Sequence, residues 1–361
     1  MSSNKITLIM AMLVLAVFAL GSVSAAENVT TDIDVPTEGI AVDDVSVEDV
    51  VESNDASSDA EVDDNSGNLR TSPYYVNNSM ALSEIQTIID DAESGSTIYF
   101  TEGQYNQTTL TLKSNLNVIG LNAILVGDGV NNIINLPDDT SNIVISGFAM
   151  DANYTSSDHN ISAIRGSFIT NAQITNNIIY NGYNGINLNK YCANIQVTDN
   201  SIYNMINDGV SFANPITFST ISSVGYSYIS RNNITNCGYG IFIGGNFNGE
   251  ITNDKISNCT YGIEFAGKPK VGNGTLSAIV SYVDIIGCTN GINMYHPYAM
   301  YLSLNHVNFT QITEYDVNTT GTVNSAGYIS VSYSTFCQGV TQDFYDAVDT
   351  EFGNTNYDVK I

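Results

Sequence analysis

The chain has no tryptophan, and its 361 residues include only 10 lysines and arginines and 3 histidines. Against 37 aspartates and glutamates, this gives a formal net charge of -27. So few cations disfavour nucleic acid as a partner, because phosphate contacts need Lys and Arg. They also disfavour polyanionic polysaccharides unless metal ions bridge the like charges. A neutral or cationic partner fits better. The absence of tryptophan removes the strongest aromatic platform for sugars, leaving 22 tyrosines to supply such contacts. Long apolar runs are scarce too: beyond Leu20 no stretch approaches the ~20 residues of a membrane span. Only 13% of residues are charged, so the polarity rests largely on Asn, Ser, Thr, Gly and Tyr, unlike a typical cytosolic enzyme.

Residues 1–26 read as a secretory signal peptide, with Lys5, an apolar run from Ile6 to Leu20 and the small residues "GSVSAA". An uncleaved anchor here is the alternative, and it would be the sole membrane contact. Residues 27–70 read as a disordered acidic spacer. Between Glu27 and Asp64 there are 14 carboxylates and no Lys, Arg or aromatic residue, so the segment repels itself and has little to bury. Its carboxylates lack the alternate spacing and the glycine of a calcium loop. Residues 71–361 form the expected folded domain.

Within that domain one phrase recurs: "ITNCGYGIFI" from Ile234, "ISNCTYGIEF" from Ile256 and "IIGCTNGINM" from Ile285. Aligned, the repeats place an apolar residue at Ile179, Ile202, Ile234, Ile256, Ile285, Phe309 and Phe336, 22 to 32 residues apart. Two places later stand Asn181, Asn204, Asn236, Asn258, Gly287, Gln311 and Gln338. A column of amides is expected if each repeat is one coil stacked on the last at strand spacing, ~4.8 Å, each side chain donating to one neighbour and accepting from the other. "GIFI" and "GIEF" alternate as strands do. The preceding glycines, Gly185, Gly209, Gly240, Gly262 and Gly291, are expected at corners with positive φ. Helical solenoids need longer 3.6-periodic segments, and propeller blades need ~40 residues per repeat.

The amide column, the "NGI" and "YGI" corners and the coil length resemble the right-handed parallel β-helix repeat of the pectate-lyase-like superfamily. "LSEIQTIIDDAESGSTIYFTEGQY", Leu82 to Tyr105, resembles that family's opening: a capping helix, about 81–92, then a strand. Ser83 is the candidate N-cap, and Ile85, Ile88 and Ile89 form the stripe to be buried. The fold class is therefore all-β, with an expected right-handed crossover.

Cys237, Cys259 and Cys288 share the position after the amide column, while Cys192 and Cys337 fall outside it. Secretion permits disulfides, but stacked side chains keep Cβ atoms near ~4.8 Å, beyond the ~3.8 Å mean of a bridge. A ladder of free thiols is expected. Asn-x-Ser/Thr sequons, including Asn28, Asn77, Asn106, Asn153, Asn160, Asn233, Asn273, Asn308 and Asn318, arise readily in so Asn- and Thr-rich a chain. Asn233 and Asn308 should face solvent. Asn258 also matches, but a glycan there would break the expected amide stack.

Chemistry is harder to find. A lyase on this scaffold is expected to hold Ca2+ with clustered carboxylates and to use a nearby Arg or Lys; a hydrolase needs two or three close Asp residues, one a general acid. The hydrolase signatures glycine-histidine-glycine and arginine-isoleucine-lysine are absent, and no cofactor is expected outside the lyase alternative. The catalytic candidates are Asp151, Asp158, His159 and Arg165 in "MDANYTSSDHNISAIRG", which also reads as a polar inter-coil loop. Candidate sugar contacts are Tyr180 and Tyr203 in one outward column, with Tyr239 and Tyr261 in another and Tyr295, Tyr298 and Tyr301 in "YHPYAMY".

Signal peptide, acidic spacer and Asn/Thr-rich coils together resemble the adhesin-like β-helix proteins of methanogenic archaea. That resemblance implies a secreted or cell-surface glycoprotein attaching to glycans or other surface partners. Because the last coil is followed only by "GNTNYDVKI", retention at a surface would need some other means of attachment. A polysaccharide lyase or glycoside hydrolase and a purely structural envelope protein are the alternatives.

Overall fold

Short period-two runs broken by Asn and Gly produce strands, most of them three to six residues long, that pair with the equivalent run of adjacent repeats, and every pairing is parallel. The computed structural model describes residues 73–155, 161–213, 225–245, 247–266, 276–295, 300–320 and 328–360. The expected signal peptide and acidic spacer lie outside these. The described chain is a right-handed parallel β-helix of about 9 turns. It has three faces, A, B and C in chain order. Face A is a 12-stranded sheet from Tyr74–Val76 to Thr350–Phe352. Face B runs from Gly103–Tyr105 to Asn308–Thr310, and face C from Leu110–Thr111 to Tyr315–Thr320. B and C are joined because Ser201–Ala213 and Asn233–Gly244 continue through the corner between them.

The core is a set of inward columns. Ile179, Ile202, Ile234, Ile256, Ile285 and Phe309 are mutual register partners on face B, all buried, and the Phe336 ring stacks on Phe309 at 5.2 Å. Each fully buried aliphatic side chain contributes roughly 1.5–3 kcal/mol. The N-terminal helix, Leu82–Asp91, closes the first coil with Ile85 and Ile89 buried and Ile88 partly so. Its N-cap is Ala81 rather than Ser83. From the third helical position the Glu84 carboxylate accepts from the N-cap Ala81 N–H at 2.8 Å, the carboxylate half of a capping box.

The corners differ from the sequence expectation in an instructive way. The residues with positive φ at the B–C corner are the repeat amides themselves: Asn181 (58°), Asn204 (59°), Asn236 (55°), Asn258 (54°) and Gln311 (57°), with Gly287 (64°) in the same place. Asn tolerates this left-handed region better than most residues. These side chains are exposed, and one contact along the column joins Asn236 Nδ2 to Asn204 Oδ1 at 3.3 Å. Gln338 is exposed too, in the last coil, where Gly339 takes the positive φ. Gly185, Gly209, Gly240, Gly262 and Gly291 do not have positive φ. They are glycine because a Cβ on each would stand 2.5 to 2.7 Å from a main-chain oxygen of the next coil.

A buried polar ladder lies elsewhere, just past the A–B corner. Asn200 Oδ1 accepts from Asn177 N (3.0 Å) and Nδ2 (3.1 Å). Asn232 Oδ1 does the same for Asn200, and Asp254 Oδ1 for Asn232 at 2.7 and 2.9 Å. Each amide nitrogen also donates to the preceding coil: Asn177 to Ile145 O, Asn200 to Ile174 O and Asn232 to Val197 O. Buried amides are thus doubly satisfied, as a dry interior requires. All five cysteines are free. In the thiol column, Cys259 N donates to Cys288 Sγ at 3.4 Å, and the neighbouring Cys237 thiol pushes Cys259 up to about 12; outside the column, burial pushes Cys192 up to about 12.

Candidate functional site

Face C carries its outward side chains in registered rails. One rail runs Asn135, Arg165, Asn187, Ser211, Phe242, Glu264, Asn293 and Asn318. Beside it, three residues nearer the B–C corner in each coil, stand Asp208, Tyr239 and Tyr261. Strand alternation sends the rail residues outward; Asp208, Tyr239 and Tyr261 precede the corner glycines Gly209, Gly240 and Gly262, so alternation does not place them. Asp208 owes its placement to a bulge: between Met205 and Asp208 the chain takes three steps where its partner takes two, from Cys237 to Tyr239.

The centre of this face is nearly dry. Asp208 is 6% and Glu264 8% exposed. Burial pushes the Asp208 carboxyl up to about 6; the Ser211 hydroxyl pulls it down, and the Glu264 charge adds to the rise. Glu264 is also raised by burial, against the lowering effect of a 2.9 Å hydrogen bond that it accepts from Asn293 Nδ2. Tyr239, stacked on Tyr261 at 5.1 Å, is pushed up to about 12, first by burial and then by Glu264. Tyr183 is raised by burial and by the Asp208 charge. Two acidic groups that reach into one desolvated surface are thus biased toward their neutral forms. Asn187 Oδ1 and Asn290 Oδ1 are buried there without a hydrogen-bond partner, which is costly unless a bound group supplies the donor.

Toward the N-terminal coils the same face opens into a pocket of about 430 Å³ lined by Asn135, Asp138, Arg165 and Lys190 among others. Lys190 Nζ stands 3.9 Å from the Asp138 carboxylate and 5.1 Å from the Phe168 ring centroid. The face therefore has a basic end and an acidic middle.

The sequence-derived candidates are distributed differently. Arg165 is on face C, but Asp151 is on face B, register partner of Tyr180 and, through it, of Tyr203. Asp151 Oδ1 accepts from Asn153 N and Asn181 Nδ2. Its charge, after burial, helps push Tyr180 up to about 12. Tyr180 and Tyr203 are stacked at 5.3 Å and nearly parallel. Tyr295 is exposed at the outer edge of face C, and Tyr301 is exposed on face A. Asp158, His159 and Tyr298 lie outside the described residues. Among the described residues no three of His, Cys, Asp and Glu come close enough to hold a metal ion, so no calcium cage is offered there. Asn233, Asn308 and Asn258 are exposed, while Asn318 is partly buried and donates to Asn293 Oδ1.

Asp208 and Glu264 were not found from the sequence, because each stands alone inside an ordinary strand phrase. Glu264 could have been found by column: "GIEF" puts an acid where "GIFI" has Phe242.

No protein-family model matches the sequence, and no curated protein matches it. Solved structures do share the fold. The A-module of the mannuronan C-5 epimerase AlgE4 of Azotobacter vinelandii matches at 12% identity over 77% of this chain and 93% of that one, TM-score 0.55. A rhamnogalacturonan lyase matches at 11% over 80% and 86%, TM-score 0.53. The family 28 exopolygalacturonase of Yersinia enterocolitica matches at 14% over 78% and 76%, TM-score 0.50. At such identities the likeness extends to the parallel β-helix architecture.

Proposed function

We propose that this protein is a secreted or surface-displayed, adhesin-like β-helix that binds a glycan along face C. The observation carrying this reading is the desolvated polar rail itself, in which Asn187 and Asn290 present buried, unpartnered acceptors beside the protonatable Asp208 and Glu264. Sugar hydroxyls are donors of the kind those acceptors lack. The neighbours' printed names, an epimerase, a lyase and a polygalacturonase, each concern a polysaccharide and support a carbohydrate partner. Glycan-array binding by the purified chain tests the proposal. Saturable binding that weakens at least ten-fold in an Asp208→Asn, Glu264→Gln double variant supports it; binding indifferent to both changes sinks it.

A second reading, glycosidic-bond cleavage, is favoured by one observation. Asp208 and Glu264 stand on one face, two coils and three strand positions apart, and the Glu264 charge reaches Asp208 strongly enough to help raise it. A glycosidase needs two carboxyl groups of this kind on one face, one of them held protonated. On this reading Asp208 donates the proton to the leaving oxygen. Turnover then falls as pH rises through about 6, because the group loses the proton it must give. Reducing-end assays across pH 4 to 8 check this, and binding without product at every pH removes it.

A further inference from the structure

Face A of the last turns, on a different side of the solenoid from Asp208 and Glu264, has a surface that the function proposed above does not use. Its outward columns place Ser303 and Ser330 in register, with Ser332 in the adjoining column. The two serine hydroxyls are joined by a 3.2 Å hydrogen bond, so the floor is built of small, mutually satisfied side chains. On one side of it rise Tyr301 and Tyr328, register partners that are 49% and 45% exposed. On the other side, at the A–B corner, Tyr282, His306 and Tyr333 form a continuous ring stack with centroid steps of 4.7 and 5.1 Å. Phe352 meets Tyr333 edge-on at 5.4 Å. Tyr282, Tyr333 and Phe352 are each more than half exposed.

We infer that this trough is a second binding surface, taking a neutral, extended polysaccharide chain along the solenoid axis. Three features select that ligand. No Asp, Glu, Lys or Arg occupies the floor or either rail, in a chain whose net charge is -27, so ionic attraction has no part in recognition. From Tyr301 to His306 the strand spans five steps, roughly 16 Å at ~3.3 Å per residue, which admits one extended chain between the standing rings. The rails repeat once per coil at ~4.8 Å, close to the length of one β-linked pyranose, so consecutive sugars would meet equivalent groups. The rings of the corner stack cover one another's faces and present their edges. Sugars would therefore meet phenol hydroxyls and the imidazole edge as hydrogen-bonding partners, and ring edges as apolar ones.

A plain strand-propensity role accounts for Tyr on a sheet, but not for six exposed rings arranged as two rails around serines. An exposed apolar patch of that kind ordinarily marks an interaction site. The test uses the full chain in calorimetric titration against cellohexaose and mannohexaose, with oligogalacturonate as the charged control. The expected result is saturable binding of at least one neutral hexasaccharide, stronger than that of the control. Affinity should fall at least ten-fold in Tyr301→Ala and in Tyr333→Ala while Tm stays within a few degrees, and the face C double variant should retain it. No saturable binding of either neutral hexasaccharide would overturn the inference. So would affinity indifferent to both ring changes, or affinity lost in the face C variant alone.

Discussion

Replacing Asp254 with asparagine is expected to stabilise the protein, increasingly so as pH rises from about 4 to about 7. Asp254 is the last member of the buried ladder, and its Oδ1 takes both hydrogen bonds from Asn232. Its Oδ2 is buried without a partner. In the three preceding members the equivalent atom is an amide nitrogen donating to a main-chain carbonyl, and by register the carbonyl facing Asp254 belongs to Ile229. A carboxylate there sets oxygen against oxygen; a carboxylic acid restores a donor. The group is accordingly pushed up to about 7, by burial first and against the lowering influence of the Asn232 hydrogen bonds. The sign follows from proton counting. Between about 4 and 7 the folded state holds a proton that the unfolded state has released, so stability falls as pH rises, by about 1.4 kcal/mol per unit for one group, and levels off above 7. Asparagine supplies the donor at every pH. Urea midpoints of parent and variant at pH 4 and pH 8 measure the difference: near zero at the lower value, a few kcal/mol at the higher. A constant gap across that range would mean that Asp254 keeps no proton in the folded state.

The contrast between that ladder and the sequence pattern explains what could be read in advance. Period-two apolar runs recurring every 22 to 32 residues left few architectures, and the register partners Ile179, Ile202, Ile234, Ile256 and Ile285 stack as the alignment has them. Such columns are legible because every coil must bury the same position. What single residues do at a corner is less legible, since Asn serves both as a left-handed turn former and as a buried hydrogen-bond relay. Asn236 and Asn232 lie four places apart and take opposite roles, one exposed with positive φ, the other 2% exposed in the ladder. The ladder also ends at Asp254, and the same column goes on as Val283 and Val307, so no repeated letter announces it. Asp208 is harder still, because the bulge that seats it adds one residue and shifts it out of the aligned column. Tyr180 and Tyr203 needed only the column, and they stack. Asp151 and Arg165 share a sequence neighbourhood, but the corner between faces separates them.

The two corner columns also make opposite predictions about glycine. Gly240→Ala is expected to cost about 3 kcal/mol or more, the upper range for forced overpacking. Its Cβ would stand 2.5 Å from both Gly262 O and Ile256 Cγ2, the first a main-chain atom held by the next coil's own ladder, and neither can retreat without parting the two coils. Because each coil is stabilised chiefly by its neighbours, the loss should appear as weakened coupling between the halves of the solenoid, broadening the urea transition. Gly287→Asn should instead be nearly neutral, within about 0.5 kcal/mol as at ordinary exposed sites. Its φ of 64° is one that Asn258 and Gln311 already adopt in the flanking coils, and the nearest atom to a new Cβ is the flexible Asn258 Oδ1 at 2.7 Å. If Gly287→Asn proved as damaging as Gly240→Ala, the Asn258 amide would be unable to give way, and close approach would govern both positions. Equal tolerance of the two would show that the coils stand farther apart than a 2.5 Å clash allows.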